Sequence, residues 1–289
     1  MNHASLLTRE SFVELGARAR VHALLDPGTL RELAGPFDQL VSPWLERQGV
    51  VPQADDGVVV AKGRIDAQPA VVLAIEGAFQ GGSLGEVGGA KIAGALELAA
   101  QDNRRGVPTR AVILFETGGV RLQEANLGLA AIADIHAGIV DLRRYQPVVG
   151  VIAGTVGCFG GMSIAAGLCS YLVVTREARL GLNGPAVIEQ EAGVAEYDSR
   201  DRPFIWRFTG GEQRIATGLA DRYVEDDSEA IRGAVRETLA QGVPAVHRSE
   251  RYAHYLQRLA EYDPARQPEP ARQPEPQTVR TIYAHGAKP

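Results

Sequence analysis

The sequence predicts an α/β fold in which parallel strands alternate with helices. Three units share one pattern: a β-rich apolar run, a glycine-rich turn and a helix of mostly small residues. In the first, residues 71–75 pass through Gly81-Gly82-Ser83 to a helix over about 90–100. In the second, residues 111–115 lead through Thr117-Gly118-Gly119 to a helix over about 122–140. In the third, residues 148–152 lead through Cys158-Phe159-Gly160-Gly161 to a helix over 163–167. Alternation at this spacing favours right-handed crossovers between parallel strands, and a spiral of ββα-like turns gives the same pattern.

The remaining elements follow in chain order. The first sixty residues read as two helical pieces; Ser11-x-x-Glu14 has the form of a capping box opening a helix through Arg18 and His22, which Pro27-Gly28 ends. Residues 58–65 and 70–75 are consecutive β-rich runs across a polar turn, a hairpin leading into the core. Beyond the three units come residues 178–182, read as continuing into a strand over 179–183, then Gly184-Pro185, a helix opening at 187–190 and a polar loop over 196–203. Helical signals return at 211–213 and 227–239, with a final helix over about 246–262. The hexapeptide Ala-Arg-Gln-Pro-Glu-Pro occurs at 265–270 and again at 271–276, too rich in proline for helix or central strand. The expected organisation is an N-terminal helical segment over 1–57, one α/β domain over 58–263 and an extended polar tail over 264–289.

Composition narrows the function. A chain of 289 residues, 45% hydrophobic and 22% charged with a net charge of −5, has no basic stripe to follow a phosphate backbone, so nucleic acid is not an expected partner. Its two cysteines, Cys158 and Cys169, supply neither a disulfide framework nor the four ligands of a structural zinc. Residues 148–174 carry no charge and are long enough to span a bilayer, but six glycines divide them into strand, turn, helix and strand, so no membrane span is expected. No apolar leader opens the sequence, which points to the cytoplasm. A P-loop, a Gly-x-Ser-x-Gly elbow and a His-x-x-x-His pair are all missing. Cys158 reads first as a small buried thiol, and His136 as a histidine at the edge of the core.

What remains is the glycine pairs. Gly118-Gly119 and Gly160-Gly161 stand where a strand hands over to a helix, the place where backbone N–H groups face outward at the positive end of the helix dipole. Two such turns on neighbouring strands can donate two hydrogen bonds to a thioester oxygen as it becomes an enolate. The same glycines equally serve tight turns and close helix-on-strand packing, and spacing does not separate these uses.

These turns also carry a resemblance. Thr117-Gly-Gly-Val-Arg-Leu-Gln-Glu-Ala125 resembles the Ser-Gly-Gly-Ala-Arg-Met-Gln-Glu motif of acyl-CoA carboxyltransferase beta subunits. Gly81-Gly-Ser-Leu-Gly is similar to their Gly-Gly-Ser-Met-Gly, Gly160-Gly-Met-Ser163 to their second Gly-Gly turn, and Gly184-Pro-Ala-Val-Ile-Glu-Gln190 to their Gly-Pro-x-Val-Ile-Glu-Gln. Four motifs in one order cover about residues 58–226. The zinc ribbon that precedes this domain in bacterial acetyl-CoA carboxylase beta subunits is missing. Residues 153–158 (Ala-Gly-Thr-Val-Gly-Cys) and 208–213 (Phe-Thr-Gly-Gly-Glu-Gln) instead resemble the beta subunits of biotin-independent malonate decarboxylases.

The resemblance implies a crotonase (ClpP)-like β-β-α spiral with helices at both ends. It implies a partner, a gamma-type crotonase-like subunit, and a substrate, a malonyl thioester on an acyl carrier protein decarboxylated to the acetyl form. The carrier's phosphopantetheine-derived, CoA-like arm would present the thioester, with no permanently bound cofactor, biotin, zinc or other metal. Carried over residue by residue, the catalytic candidates are the amides of Gly118, Gly119, Gly160 and Gly161, and the substrate-binding candidates are Gly81, Gly82, Arg121, Gln123, Phe159, Gly184 and Pro185. Arg121 is read equally as a carboxylate ligand or as the ion-pair partner of Glu124, and Gln123 as a helix-face amide before a ligand. Lys91, Arg104 and Arg105 are weighed as phosphate contacts against ordinary solvated charges. Three rivals stand: a biotin-dependent carboxyltransferase subunit sharing the same turns, a non-catalytic carrier-binding scaffold, and an enoyl-CoA hydratase, which would need two acids near the turns that are not there.

Overall fold

The computed structural model describes residues 9–49, 51, 56–253 and 256–257. The tail over 264–289 and residues 254, 255 and 258–262 of the final helix expected over 246–262 lie outside them; within them that segment begins as a 3-10 turn at Arg248–Glu250.

A single sheet organises the described residues. Strands β1 (Arg31–Ala34), β2 (Val58–Ile65) and β3 (Gln68–Ile75) are antiparallel neighbours. Strands β4 (Arg110–Phe115), β5 (Val148–Ile152), β6 (Tyr171–Val174) and β7 (Arg222–Tyr223) continue from β3 in parallel, in chain order. The β2–β3 hairpin turns on Asp66 and Ala67, both at positive φ, and Ala67 N–H donates to the Asp26 carboxylate at 2.8 Å.

Both faces of the central strands are covered, which is why β3 to β6 are apolar nearly throughout rather than alternating. One face packs Val71, Leu73, Ile75, Ile113 and Phe115 against helices α2 (Glu86–Arg104), α3 (Asn126–Leu142) and α4 (Gly161–Leu168). The other packs Val72, Ala74, Val112, Leu114, Val149 and Val151 under α1 (Ala17–Leu24) and α8 (Ser228–Ala240). In chain order, α5 (Pro185–Ala192), α6 (Arg202–Thr209) and α7 (Gly211–Ala216) come between α4 and α8. Parallel bridges Leu84↔Val120, Thr117↔Cys158 and Cys158↔Leu180 add a second short ladder beyond the strand ends. Each unit is therefore strand, short strand-like turn and helix, the β-β-α spiral of the crotonase-like carboxyltransferases.

Four expectations are corrected. The N-terminal segment is not wholly helical, because Arg31–Ala34 extends the sheet against β2. The first helix begins at Ala17, not at Ser11. Ser11 does accept the Glu14 N–H at 3.3 Å, but its hydroxyl and the Val13 N–H both go to the Asp226 carboxylate, and the acid that receives the Ala17 N–H at 2.8 Å is Glu76, 59 residues away. Leu122–Glu124 is a 3-10 turn, and α3 starts only after Ala125 at φ 45°. Within residues 179–183 only Arg179 and Leu180 pair, as isolated bridges rather than a strand.

Candidate functional site

The glycine turns meet at the C-terminal ends of β3, β4 and β5. Gln80, Gly81 and Gly82 take positive φ in succession, and a Cβ on Gly82 would stand 1.8 Å from the Glu116 carbonyl oxygen. That close approach lets the first turn lie on the second: Gly118 N–H donates to Gly81 O at 2.9 Å and Leu84 N–H to Gly119 O at 2.8 Å. The second turn lies on the third in the same way. Gly119 at φ 106° and Gly160 at φ 60° pack backbone against backbone, and a Cβ on Gly160 would meet the Gly119 Cα at 3.3 Å and Val120 N at 3.9 Å. Thr117 N–H donates to Gly157 O at 2.7 Å, and Phe159 N–H to Thr117 O at 3.1 Å.

Counting donors separates the four candidate amides. Gly118 N–H is held by Gly81 O, Gly119 N–H by Thr117 Oγ1 at 3.0 Å, and Gly160 N–H by Leu182 O at 2.8 Å. These three already have internal acceptors, which corrects their assignment as free donors. Gly161 N–H has no acceptor among the described residues, and neither does Val120 N–H. Peptide planarity aims both. The Gly160 carbonyl accepts from Ser163 N–H at 3.0 Å and Ser163 Oγ at 2.7 Å, so the Gly161 N–H, trans to it, is directed away from Ser163. The Gly119 carbonyl is fixed by Leu84 N–H, so the Val120 N–H is directed away from the first turn. The next carbonyl, Gly161 O, accepts from His136 Nε2–H at 2.8 Å, which fixes that histidine's tautomer and makes it a brace of the turn.

The other candidates fall into two groups. Arg121 is only 5% exposed and its donors are engaged: Nη1 with Glu124 at 3.0 Å, Nη2 with Ser83 O at 2.9 Å and Nε with Ser83 Oγ at 3.3 Å. Glu124 in turn receives Glu86 N–H at 2.7 Å, an internal anion at the N-terminus of α2. Arg121 is thus the ion-pair partner of Glu124, a correction of its substrate-binding role. Gly82 is buried beneath Glu116, which likewise removes it from contact with a ligand. Gly81 and Gln123 are exposed, and Gly184 and Pro185 cap α5, a helix with no buried residue. Phe159 is buried, its ring beneath the Arg179 guanidinium at 5.6 Å.

Lys91, weighed as a phosphate contact, is buried with Asp56 at 2.5 Å and donates to Gly35 O; Arg104 pairs with Asp141. Burial pushes the Cys158 thiol well up and that of Cys169 to about 12, which suits inert core thiols rather than nucleophiles. Among the described residues no three His, Cys, Asp or Glu side chains converge as a metal site, and no helix is long and apolar enough to cross a membrane.

Three residues here escape the sequence pattern. Val120 contributes a backbone N–H, which leaves no mark on side-chain identity. Glu116 and Arg20 form a buried pair at 2.8 Å. The Glu116 carboxylate also accepts Val156 N–H at 2.7 Å, and Arg20 donates to Phe12 O and Val13 O. Gly77 and Gly154 make room for it; a Cβ on Gly154 would fall 1.4 Å from Glu116 Oε2. Only the Glu-Thr-Gly-Gly order and the two distant glycines hinted at it.

The carboxyl transferase domain model matches residues 14–283. A malonyl-S-ACP:biotin-protein carboxyltransferase (MADC) of Malonomonas rubra is 40% identical over 236 residues, covering 78% of this chain and 74% of that protein. Among solved structures, a Pseudomonas malonate decarboxylase hetero-tetramer in complex with malonate contains a chain 70% identical to this one, with TM-score 0.86 over 97% of this chain and 99% of that chain. A Pseudomonas MdcD-MdcE hetero-dimer matches at 65% identity and TM-score 0.75, covering 88% and 98%. Transcarboxylase 12S, at 26% identity and TM-score 0.66, shares the fold over 79% of this chain and 42% of its own. The interlocked glycine turns are thus those of a known architecture, and the chain belongs to the carboxyl transferase domain family.

Proposed function

We propose that this chain is the beta-type subunit of a biotin-independent malonate decarboxylase, acting in the cytoplasm with a gamma-type partner on malonyl-S-[acyl carrier protein]. The observation that carries the reading is the pair of unengaged N–H groups, Val120 and Gly161, on turns that pack backbone against backbone. Loss of CO2 breaks the bond between the carboxylate and the α-carbon. The electron pair passes to the α-carbon and into the thioester oxygen, and a proton added at the α-carbon then gives the acetyl thioester. Donors fixed before the charge develops lower that barrier, because they need no reorganisation as the oxyanion forms. Each such donor contributes roughly 10²–10³ in rate.

The side chains around the pair position it. His136 and Ser163 hold the third turn, and the Arg121–Glu124 clamp holds the second against the first. Gly81 and Gln123 are exposed, and they, with Gly184, Pro185 and the buried Phe159, remain the candidates to meet the arm or the partner. No nucleophilic side chain is required.

The strong likeness to the Pseudomonas malonate decarboxylase chains supports this reading and a heteromeric assembly. The Malonomonas relative favours a second one, in which the same turns pass CO2 to a biotin protein. Purified with its partner and carrier protein, the chain should release CO2 from the malonyl thioester at the same rate with or without avidin. Inhibition by avidin would establish the second reading in its place.

A further inference from the structure

Beside the turns lies a cavity of about 580 Å³ lined by Thr155, Arg179, Ser199, Arg202, Ile205 and Trp206. Arg179 and Arg202 both reach it, and neither forms an ion pair among the described residues. The Arg179 guanidinium is clamped between the Phe159 and Trp206 rings, 4.8 Å from the latter, with Nη2 donating to Thr155 O and Val156 O while its buried Nε has no partner. Trp206 is held by a bond from its indole N–H to Glu177 O at 3.2 Å. Of the acids on the surrounding elements, Glu177 lines a separate cavity with Arg9 and Arg176 and keeps one buried oxygen without a hydrogen-bond partner, and four others are engaged elsewhere. Glu116 is bound to Arg20, Asp198 to Arg200, Glu189 to Ser199 N–H, and Asp201 caps α6 through Phe204 N–H. Burial lowers the pKa of Arg179; the Glu116 carboxylate opposes that shift from a distance and the like charge of Arg202 adds to it, and no acid pairs directly with either guanidinium among the described residues.

Two guanidiniums without acids, one of them rigidly stacked, suit a tetrahedral oxyanion, which offers several acceptors to such forks. The volume accommodates a small organic group around it. We propose that the cavity between Arg179 and Arg202 binds a phosphate ester. Its two possible sources are the phosphate of the carrier's pantetheine arm, which rests on the function proposed above, and a free phosphorylated small molecule. The loop that holds Arg179 through the Thr155 and Val156 carbonyls runs on into Gly160-Gly161, so a phosphate here touches the same loop as the reacting thioester.

Titration calorimetry on the full chain assembled with its partner tests the site without reference to turnover. The probes are 4′-phosphopantetheine, pantetheine and inorganic phosphate. The arm predicts that phosphopantetheine binds about tenfold or more tightly than pantetheine, and that Arg202→Gln removes most of this difference. Binding of inorganic phosphate weakened by Arg202→Gln, with the two pantetheines equal, would keep the site and assign it to a free phosphate ester. If neither phosphate-bearing probe binds, or Arg202→Gln leaves their affinity unchanged, the proposal is overturned. Arg202 is exposed, so this variant folds; Arg179→Gln, checked for assembly by sizing, should reproduce its effect. Absence of CO2 release with phosphate binding intact would count against the decarboxylase reading alone.

Discussion

The interlocked turns and the outer edge from Leu182 to Phe208 are built on opposite principles. In the turns, nearly every polar group has an internal partner, and most glycines are there because another backbone occupies the space of a Cβ. At the outer edge α5 buries no residue, Leu182, Val187, Val194 and Phe208 are exposed, and Arg202 forms no ion pair among the described residues. A preorganised oxyanion site needs the first kind of construction, since a donor that must be reoriented loses much of its effect. A surface that meets carrier, partner or ligand needs the second, because its groups must still be available for new contacts.

The contrast can be broken most forcefully at Glu116. Glu116→Ala strands Arg20 as an unpaired buried charge and orphans Val156 N–H, so urea unfolding should show a loss of roughly 3–5 kcal/mol. The pair Arg20→Met with Glu116→Gln keeps an acceptor for Val156 and should lose clearly less; equal losses would mean that the clamp acts some other way. Gly82→Ala comes next, at about 2 kcal/mol or more, because its Cβ would enter the Glu116 carbonyl and its φ of 66° is unfavourable for alanine. Gly184→Ala, with nothing within 4 Å of its Cβ, should change stability by less than about 0.5 kcal/mol. Similar losses at the two glycines would erase the distinction between centre and edge.

The smallest effect concerns acid. Paired with Arg18, the Glu32 carboxyl is held below its usual 4.5, so its contribution is present above that pH and disappears as pH falls through the lower folded-state value. Being largely solvent-facing, the pair should add only a few tenths of a kcal/mol. Glu32→Gln should therefore lie slightly below the parent at pH 7 and converge with it in acid.

The sequence carried the sheet and its crossovers because buried parallel strands are long apolar runs and their turns need glycine. It misled at the first helix because the acids that hold its start, Glu76 and Asp226, are remote in sequence, and at β1 because four residues without a strong β former depend on β2 for their conformation. The site was legible as a place and not as a set of atoms. Glycine marks where backbones approach, whereas the N–H groups left over depend on which carbonyls the neighbouring turns supply, and that is why we propose Val120 as a donor in place of three glycines.

Position 161 offers the most direct test of the oxyanion assignment. Gly161 is the first residue of α4, where proline is well tolerated, and any side chain there presses on Ile132. Gly161→Ala keeps the N–H and Gly161→Pro removes it, so comparing them cancels the steric effect common to both. In the assembled complex, kcat for CO2 release should fall about 10²–10³-fold from alanine to proline, with KM little changed. Equal kcat values in two folded complexes would contradict the account.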